Sequence, residues 1–337
     1  MTPSQPNPQR IVDMASAYFD SCILFAASDL GIFTAVAELS EAGSEAIANR
    51  LALDRRATEL LLDGCVAAGL LEKTGAGYRN TAESAAFLVR GKPGDLSGAL
   101  LYNRDVYSAW GKLKELVRNG KPVEAPEVHL GDDLERTRNF VLSMHHRALS
   151  IGRTVTGLLD LSGRRRLLDV GGGPGTYAVM AARNNPELHC TVLDLPPIVR
   201  IADELIAQQG FSGRVTTMAG DYHSTPFPPG QDAIHFFGML HQETPEAIRD
   251  LFRRAWHALN PGGVVHIMDM MTDSTHTAPK FSALFAVNMA LTTHNGWVFA
   301  DSELREWLME AGFTGFQVQP LPAPMPHWIA SARKPLV

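Results

Sequence analysis

Cysteine is scarce in this chain: three residues in 337, Cys22, Cys65 and Cys190, lie far apart in apolar contexts and match neither metal-ligand nor redox spacing. A disulfide framework is thereby excluded, and the three read as buried, reduced packing residues. A surplus of positive charge is also missing, since 30 Lys and Arg stand against 36 Asp and Glu, for a formal charge of −6. Such a chain has no electrostatic reason to hold nucleic acid or an anionic bilayer tightly. Asp20 and Asp29 interrupt the one candidate for a membrane-length apolar run, and the first ten residues carry Pro, Gln and Asn instead of a basic leader. Internal repeats and low-complexity tracts are absent. A cytoplasmic protein without membrane or nucleic-acid partners is the expectation, and small-molecule chemistry is the favoured class of function.

What is present is ordinary globular composition, 45% hydrophobic and 20% charged. The length suggests two domains, and the pattern changes near residue 160. Residues 1–160 are mainly helical. Between Ile11 and Val36 the apolar residues cover more than one helical face, so the segment must be buried on most sides, and subunit association is the reading chosen. Residues 44–79 read as helix, turn, helix and a small β wing. Ala46, Ile47 and Leu51 line the first helix, Asp54 caps the second, Leu60, Leu61, Cys65 and Val66 line that one, and Gly69 ends it. A winged helix can bind DNA, but here five basic residues (Arg50, Arg55, Arg56, Lys73, Arg79) meet five acidic ones (Glu45, Asp54, Glu59, Asp63, Glu72), which disfavours a DNA-binding regulator.

Residues 161–337 alternate short β-rich runs with helical patterns, as in a parallel sheet with crossover helices. Strands are expected at 166–170, 190–195, 215–219, 233–240, 264–270, 316–321 and 328–333. Helices are expected at 174–184, 197–209, 245–259 and 301–311, with a helical insertion at 279–294.

The most informative stretch is Asp169-Val170-Gly171-Gly172-Gly173-Pro174-Gly175, a buried strand entering a glycine loop that lets a ligand approach the backbone. Asp194 ends the next strand about 20 residues on, where a carboxylate typically holds ribose hydroxyls. A dinucleotide site, an S-adenosylmethionine site and a purely structural loop all compete. The spacing is G-x-G-x-G, with Thr176 where a dinucleotide fingerprint has its third glycine. Asp169 before the loop would repel a pyrophosphate but suits an ammonium and a sulfonium, which favours S-adenosylmethionine. Asp221 closes the third strand, where an adenine edge is expected.

With Leu193-Asp194-Leu195-Pro196, Gly220-Asp221, Asn260-Pro261-Gly262-Gly263 and Asp29-Leu30-Gly31-Ile32-Phe33, the whole chain resembles the S-adenosylmethionine-dependent small-molecule O-methyltransferases of plants and bacteria. The resemblance implies an α/β fold: a Rossmann-like class I methyltransferase domain preceded by a mainly helical winged-helix dimerisation domain, in a homodimer. It makes Asp169, Gly171, Gly173, Asp194, Leu195, Asp221 and Tyr222 the cofactor set, Tyr222 packing on adenine. Phe237, four residues before the expected catalytic histidine, stands where the family often has a cationic cofactor contact.

Methyl transfer to a phenol needs a base, because the phenol pKa is near 10. His241 follows an apolar strand at the carboxyl edge of the sheet, and Asp269 ends the next strand, where it can fix the imidazole tautomer. The resemblance places the catalytic histidine and its first acidic partner at these two positions. The second acidic partner is replaced by Val298. Met144 matches the family's substrate-clamping methionine, and Phe285, Met289, His294 and Trp297 are expected around an aromatic acceptor. Two further readings share this scaffold: C-methylation, with a metal held by His241 and His294, and another transfer reaction. The reading chosen has no metal.

Overall fold

A computed structural model describes residues 6–336, and they fall into two compact units, Met1–Leu100 and Leu101–Val337. The first unit begins with helices α1 (Gln9–Ser16), α2 (Tyr18–Asp29) and α3 (Ile32–Leu39). Its winged-helix part follows as α4 (Ser44–Leu51), α5 (Arg55–Ala67), the antiparallel pair β1 (Leu71–Lys73) and β2 (Tyr78–Asn80), and α6 (Ala82–Phe87). Asp54 caps α5 as expected, its carboxylate accepting from the Ala57 N–H at 2.7 Å. Ile47 and Cys65 are buried and Leu51, Leu61 and Val66 pack on the core as expected, but two of the expected positions differ. Ala46 is exposed and Leu60 is 59% exposed, while Ile47, Ala48, Leu62 and Cys65 point inward. At 100° per residue, a shift of one or two positions decides which side chain faces in, and only the neighbouring helices settle it.

The segment from Ile11 to Val36 divides in two. Ala27, Ile32, Phe33 and Val36 join Ile47, Leu62 and Cys65 in the unit's core, whereas Ile11, Val12, Met14, Tyr18 and Phe19 are each more than half exposed. The helical run Gln9–Asp29 is, by length and composition alone, long and apolar enough to cross a membrane, contrary to the expectation that its aspartates break it. One or two carboxylates in such a window lower the mean hydropathy too little. Of the cysteines, Cys65 and Cys190 are buried and Cys22 is partly exposed.

The second unit contains α7 (Ser97–Trp110, which starts just before the division), α8 (Leu113–Asn119) and the long α9 (Leu134–Gly157). It continues as β3 (Arg166–Val170), α10 (Thr176–Asn184), β4 (His189–Asp194), α11 (Pro196–Gln208), β5 (Val215–Ala219), β6 (Gln231–Phe237), α12 (Pro245–Ala258) and β7 (Leu259–Asp269). Then come α13 (Lys280–Thr292), α14 (Asp301–Glu310), β8 (Thr314–Pro320) and β9 (Trp328–Arg333). The seven strands form one sheet in the order β5-β4-β3-β6-β7-β9-β8, parallel except where β9 pairs with β7 and β8. The central strands are near-continuous apolar runs because helices cover both faces; Leu168, Val170, Ile234, Phe236, Val265 and Ile267 are fully buried. Sequence order reverses between β3 and β6, and their carboxyl ends open the crevice where such sheets bind ligands.

The division between the units lies some 60 residues earlier than the pattern change near 160. Helix α9 belongs to the second unit: Val141 packs on Ile198, Ile201 and Leu205 of α11, Val155 on Phe237 and Met268, and His145 Nδ1 meets Thr176 Oγ1 at 2.7 Å. A helical stretch does not declare in its own sequence which neighbour it covers. Strand β6 also stops at Phe237 instead of running to Leu240, because the chain turns through Gly238 into a short 3-10 turn, Leu240–Gln242.

Candidate active site

The glycine loop joins the end of β3 to α10. Asp169 is 1% exposed, and neither carboxylate oxygen has a hydrogen-bond partner among the described residues. Burial, and then the charge of Asp194, push its carboxyl up to about 7. Gly171 has a left-handed φ of +63°, and a Cβ there would meet Met239 at 3.2 Å and Tyr222 at 3.6 Å. At Gly172 a Cβ would lie 2.7 Å from Cγ of Asp169. The bare backbone is therefore required by packing. Asp194 accepts from the Gly173 N–H at 2.8 Å and from the Leu195 N–H at 2.7 Å; burial still raises its carboxyl to about 6, against the pull of those two donors. A buried, orphaned carboxyl beside a partly buried one calls for a ligand that brings positive charge and hydrogen-bond donors. An ammonium with ribose hydroxyls fits that demand, and a pyrophosphate does not.

At the end of β5, Asp221 Oδ1 accepts from both the backbone N–H and Nδ1 of His223, each at 2.8 Å. His223 Nε2 donates in turn to Glu243 at 2.8 Å, and the Tyr222 hydroxyl donates to the other Glu243 oxygen at 2.6 Å. Burial alone would lower the His223 pKa, but Glu243 and Asp221 outweigh it and raise it. Glu243 was not among the expected site residues. It is 4% exposed and anchors this cofactor-side network; its position two residues after His241 was the available signal.

His241 sits in the 3-10 turn beyond β6, and its Nδ1 lies 2.6 Å from Oδ1 of Asp269, which is 1% exposed at the end of β7. The backbone N–H groups of Met270 and His241 also donate to that carboxylate, at 2.8 and 3.3 Å. With Nδ1–H donating to Asp269, Nε2 is left as the acceptor. Val298, in the second acidic position, is 2% exposed and apolar, so one carboxylate orients the ring.

Three of the expected acceptor residues come together. Met144, Phe285 and Met289 form a cluster with Tyr102, Val106 and Phe140, and the Phe285 ring meets the His241 ring edge-on at 5.1 Å. Trp297 does not join them. It packs with Phe299 and Trp307 and donates from Nε1 to the Glu243 carbonyl at 2.7 Å, so it buttresses the turn that carries His241. His294 is 61% exposed and bonds Glu127 through Nε2 at 2.7 Å. It is tied down outside the cluster, and among the described residues no three His, Cys, Asp or Glu side chains converge as a metal site. Phe237 stacks on His235 at 4.4 Å, packs with Val155, Met268, Leu321 and Ile329, and meets the Tyr177 ring, two residues past the glycine loop, edge-on at 5.3 Å. A phenyl ring in place of a cation packs among apolar neighbours there.

A family model described as the O-methyltransferase domain matches residues 110–314, and one described as the O-methyltransferase dimerisation domain matches residues 12–90. The 3-hydroxy-5-methyl-1-naphthoate 3-O-methyltransferase of Streptomyces sahachiroi is 33% identical over 92% of this chain and 90% of its own length. The tetracenomycin polyketide synthesis 8-O-methyl transferase of Streptomyces glaucescens is 30% identical over 97% of both. The crystal structure of human N-acetylserotonin methyltransferase in complex with S-adenosylmethionine superposes with a TM-score of 0.86, at 28% identity, over 99% of this chain and all of that one.

Proposed function

Since the chain belongs to the O-methyltransferase family and is an S-adenosylmethionine-dependent methyltransferase, we propose that it methylates a phenolic hydroxyl of a small aromatic secondary metabolite, with His241 as general base. The relatives named above act on a hydroxynaphthoate, a tetracenomycin polyketide and N-acetylserotonin, and the apolar cluster of Met144, Phe285 and Met289 supplies the kind of surface an aromatic ring packs on. When bound, S-adenosylmethionine supplies an electrophilic methyl group. Asp169, Gly171, Gly173, Asp194 and Leu195 would hold it, with Asp221 and Tyr222 at the adenine end.

The observation that carries the reading is the 2.6 Å contact between His241 Nδ1 and buried Asp269. It keeps the Nε2 lone pair directed at the acceptor, so the phenol proton passes to Nε2 while the phenolate oxygen becomes the nucleophile. Asp269 then faces an imidazolium, whose charge it stabilises. The cluster around Phe285 excludes water and positions the ring, and in an in-line displacement that positioning is most of the catalysis. We also propose a homodimer, in which a second copy covers the exposed Ile11, Val12, Met14, Tyr18 and Phe19.

The test is to incubate the protein with methyl-labelled S-adenosylmethionine and a panel of phenols, locating the label by mass spectrometry and NMR. Label on oxygen is expected. Label on carbon or nitrogen, or no labelled product from any phenol, overturns the proposal.

A further inference from the structure

The turn that carries His241 is tied to the cofactor side by a carboxylate. Glu243 closes that turn, its own N–H donating to the Leu240 carbonyl at 3.0 Å. Its side chain is buried and accepts from the Tyr222 hydroxyl at 2.6 Å and from His223 Nε2 at 2.8 Å. Tyr222 is held a second time, because Gln242 Nε2 donates to its hydroxyl at 3.1 Å. The same tyrosine ring lies against the glycine loop: a Cβ on Gly171 would meet it at 3.6 Å, and would meet Met239, which leads into the turn, at 3.2 Å. Trp297 grips the turn as well, its backbone N–H donating to the His241 carbonyl at 2.9 Å and its Nε1 to the Glu243 carbonyl at 2.7 Å.

Burying a carboxylate is costly, and an apolar side chain of similar volume would fill the place with less loss. What the carboxylate provides instead is a fixed position. Each of its oxygens takes one donor, and both donors come from the loop between β5 and β6, so the turn is set in one register against that loop. The loop is itself pinned from α12, where Arg254 donates to the carbonyls of Tyr222 at 2.6 Å and His223 at 3.2 Å. Both ring nitrogens of His223 face carboxylate oxygens, Nδ1 that of Asp221 and Nε2 that of Glu243, each at 2.8 Å. Ionised carboxylates only accept, so the ring donates from both nitrogens and is an imidazolium.

We propose that Glu243 is a positioning residue for methyl transfer: by joining Tyr222 and His223 to the turn, it sets the general base and the adenine end of the cofactor site in one register. This rests on the reading given above of His241 as base and of Asp221 and Tyr222 as the adenine end. Glu243 acts through those side chains and touches neither reacting group itself.

The experiment measures kcat with a phenol that turns over, the calorimetric dissociation constant for S-adenosylmethionine, and histidine NMR titrations, in the wild type, Glu243→Gln and Glu243→Ala. Glu243→Ala should lower kcat about 10–100-fold, the scale of an ångström-sized misplacement, and weaken cofactor binding about 3–10-fold through the freed Tyr222 and His223. Glu243→Gln keeps an oxygen for the Tyr222 hydroxyl but none for His223, so it should fall between the other two in both quantities, and His223 should titrate at lower pH than in the wild type. A change in kcat without a change in cofactor affinity, or the reverse, overturns the proposal, because Glu243 would then serve one side only. A His223 titration that Glu243→Gln leaves in place overturns it too. Should Glu243→Ala fail to fold, Glu243→Gln carries the same criteria. Placement of His241 is read apart from activity by the low-field proton of its hydrogen bond to Asp269, which should move in Glu243→Ala. If His241→Ala keeps full kcat, the base reading fails while a displaced proton signal still supports the positioning; a signal that stays put in variants with lowered kcat does the reverse.

Discussion

The proposed chemistry turns on one hydrogen bond of 2.6 Å, between His241 and Asp269. A general base contributes about 10²–10⁴-fold, so His241→Ala should lower kcat by that range and leave calorimetric affinity for S-adenosylmethionine unchanged. Acceptors with more acidic hydroxyls should lose less, because they arrive ionised; a uniform loss across acceptors of differing acidity would show that the imidazole only positions. On the cofactor side, Asp194→Ala should weaken S-adenosylmethionine binding by about 1–3 kcal/mol, and an unchanged dissociation constant would remove Asp194 from the site. Asp169 makes a prediction with a sign. Its folded pKa of about 7 lies above the ordinary carboxyl range, so across roughly pH 4–7 the ligand-free protein holds a proton that the unfolded chain has lost, and stability falls as pH rises through that window. A cationic ligand reverses the preference and expels the proton. Calorimetry near pH 6.5 in two buffers of different ionisation enthalpy should show proton release on cofactor binding, and Asp169→Asn should reduce it to the smaller share that Asp194 supplies. Release undiminished in the variant refutes the assignment. Residue types at these positions were legible in the sequence; Glu243 was not, since its importance comes from the Tyr222 and His223 side chains that it meets across the fold.

Among the elements, the β3–α10 loop is the most constrained. Gly172 leaves no room for a methyl group beside Asp169, so Gly172→Ala should cost about 1–3 kcal/mol of stability through overpacking, read as a lower Tm, and should weaken cofactor binding as the carboxylate is displaced. A variant with wild-type Tm would show that the loop relaxes freely. Three strands, Arg166–Val170, Val215–Ala219 and Trp328–Arg333, follow the sequence pattern to the residue, because β-rich runs bounded by turn residues declare themselves. The end of β6 did not, for Gly238-Met239-Leu240 continues the apolar run although the chain has already turned. That turn is what carries His241 out of the sheet and over Asp269.

For the whole molecule, the first unit presents an apolar face that it does not cover itself. Phe19 is 55% exposed, whereas the unit's own core uses Ala27, Ile32, Phe33 and Val36. Phe19→Glu should therefore disrupt association and leave the fold intact, giving a monomer by light scattering with unchanged far-UV circular dichroism. A wild-type protein that is a stable monomer at micromolar concentration would overturn the dimer. Removing everything before residue 40 is a poorer test, because it also deletes Ala27, Ile32, Phe33 and Val36 from that core.

By itself the sequence determined the α/β class, the strand-loop-helix cofactor motif, the acidic strand ends and the His241–Asp269 pair. All of these are local: a run of β-formers, a glycine spacing, or a polar residue at the end of an apolar strand carries its meaning within a few positions. The tertiary structure alone decided that α9 belongs with the sheet, that Phe237 packs in the core beside Tyr177, that Trp297 and His294 lie apart from the cluster of Met144, Phe285 and Met289, and that Glu243 gathers Tyr222 and His223. Those outcomes depend on which surfaces meet after the intervening residues have been folded away, and on the desolvation each side chain then suffers, neither of which a local pattern encodes.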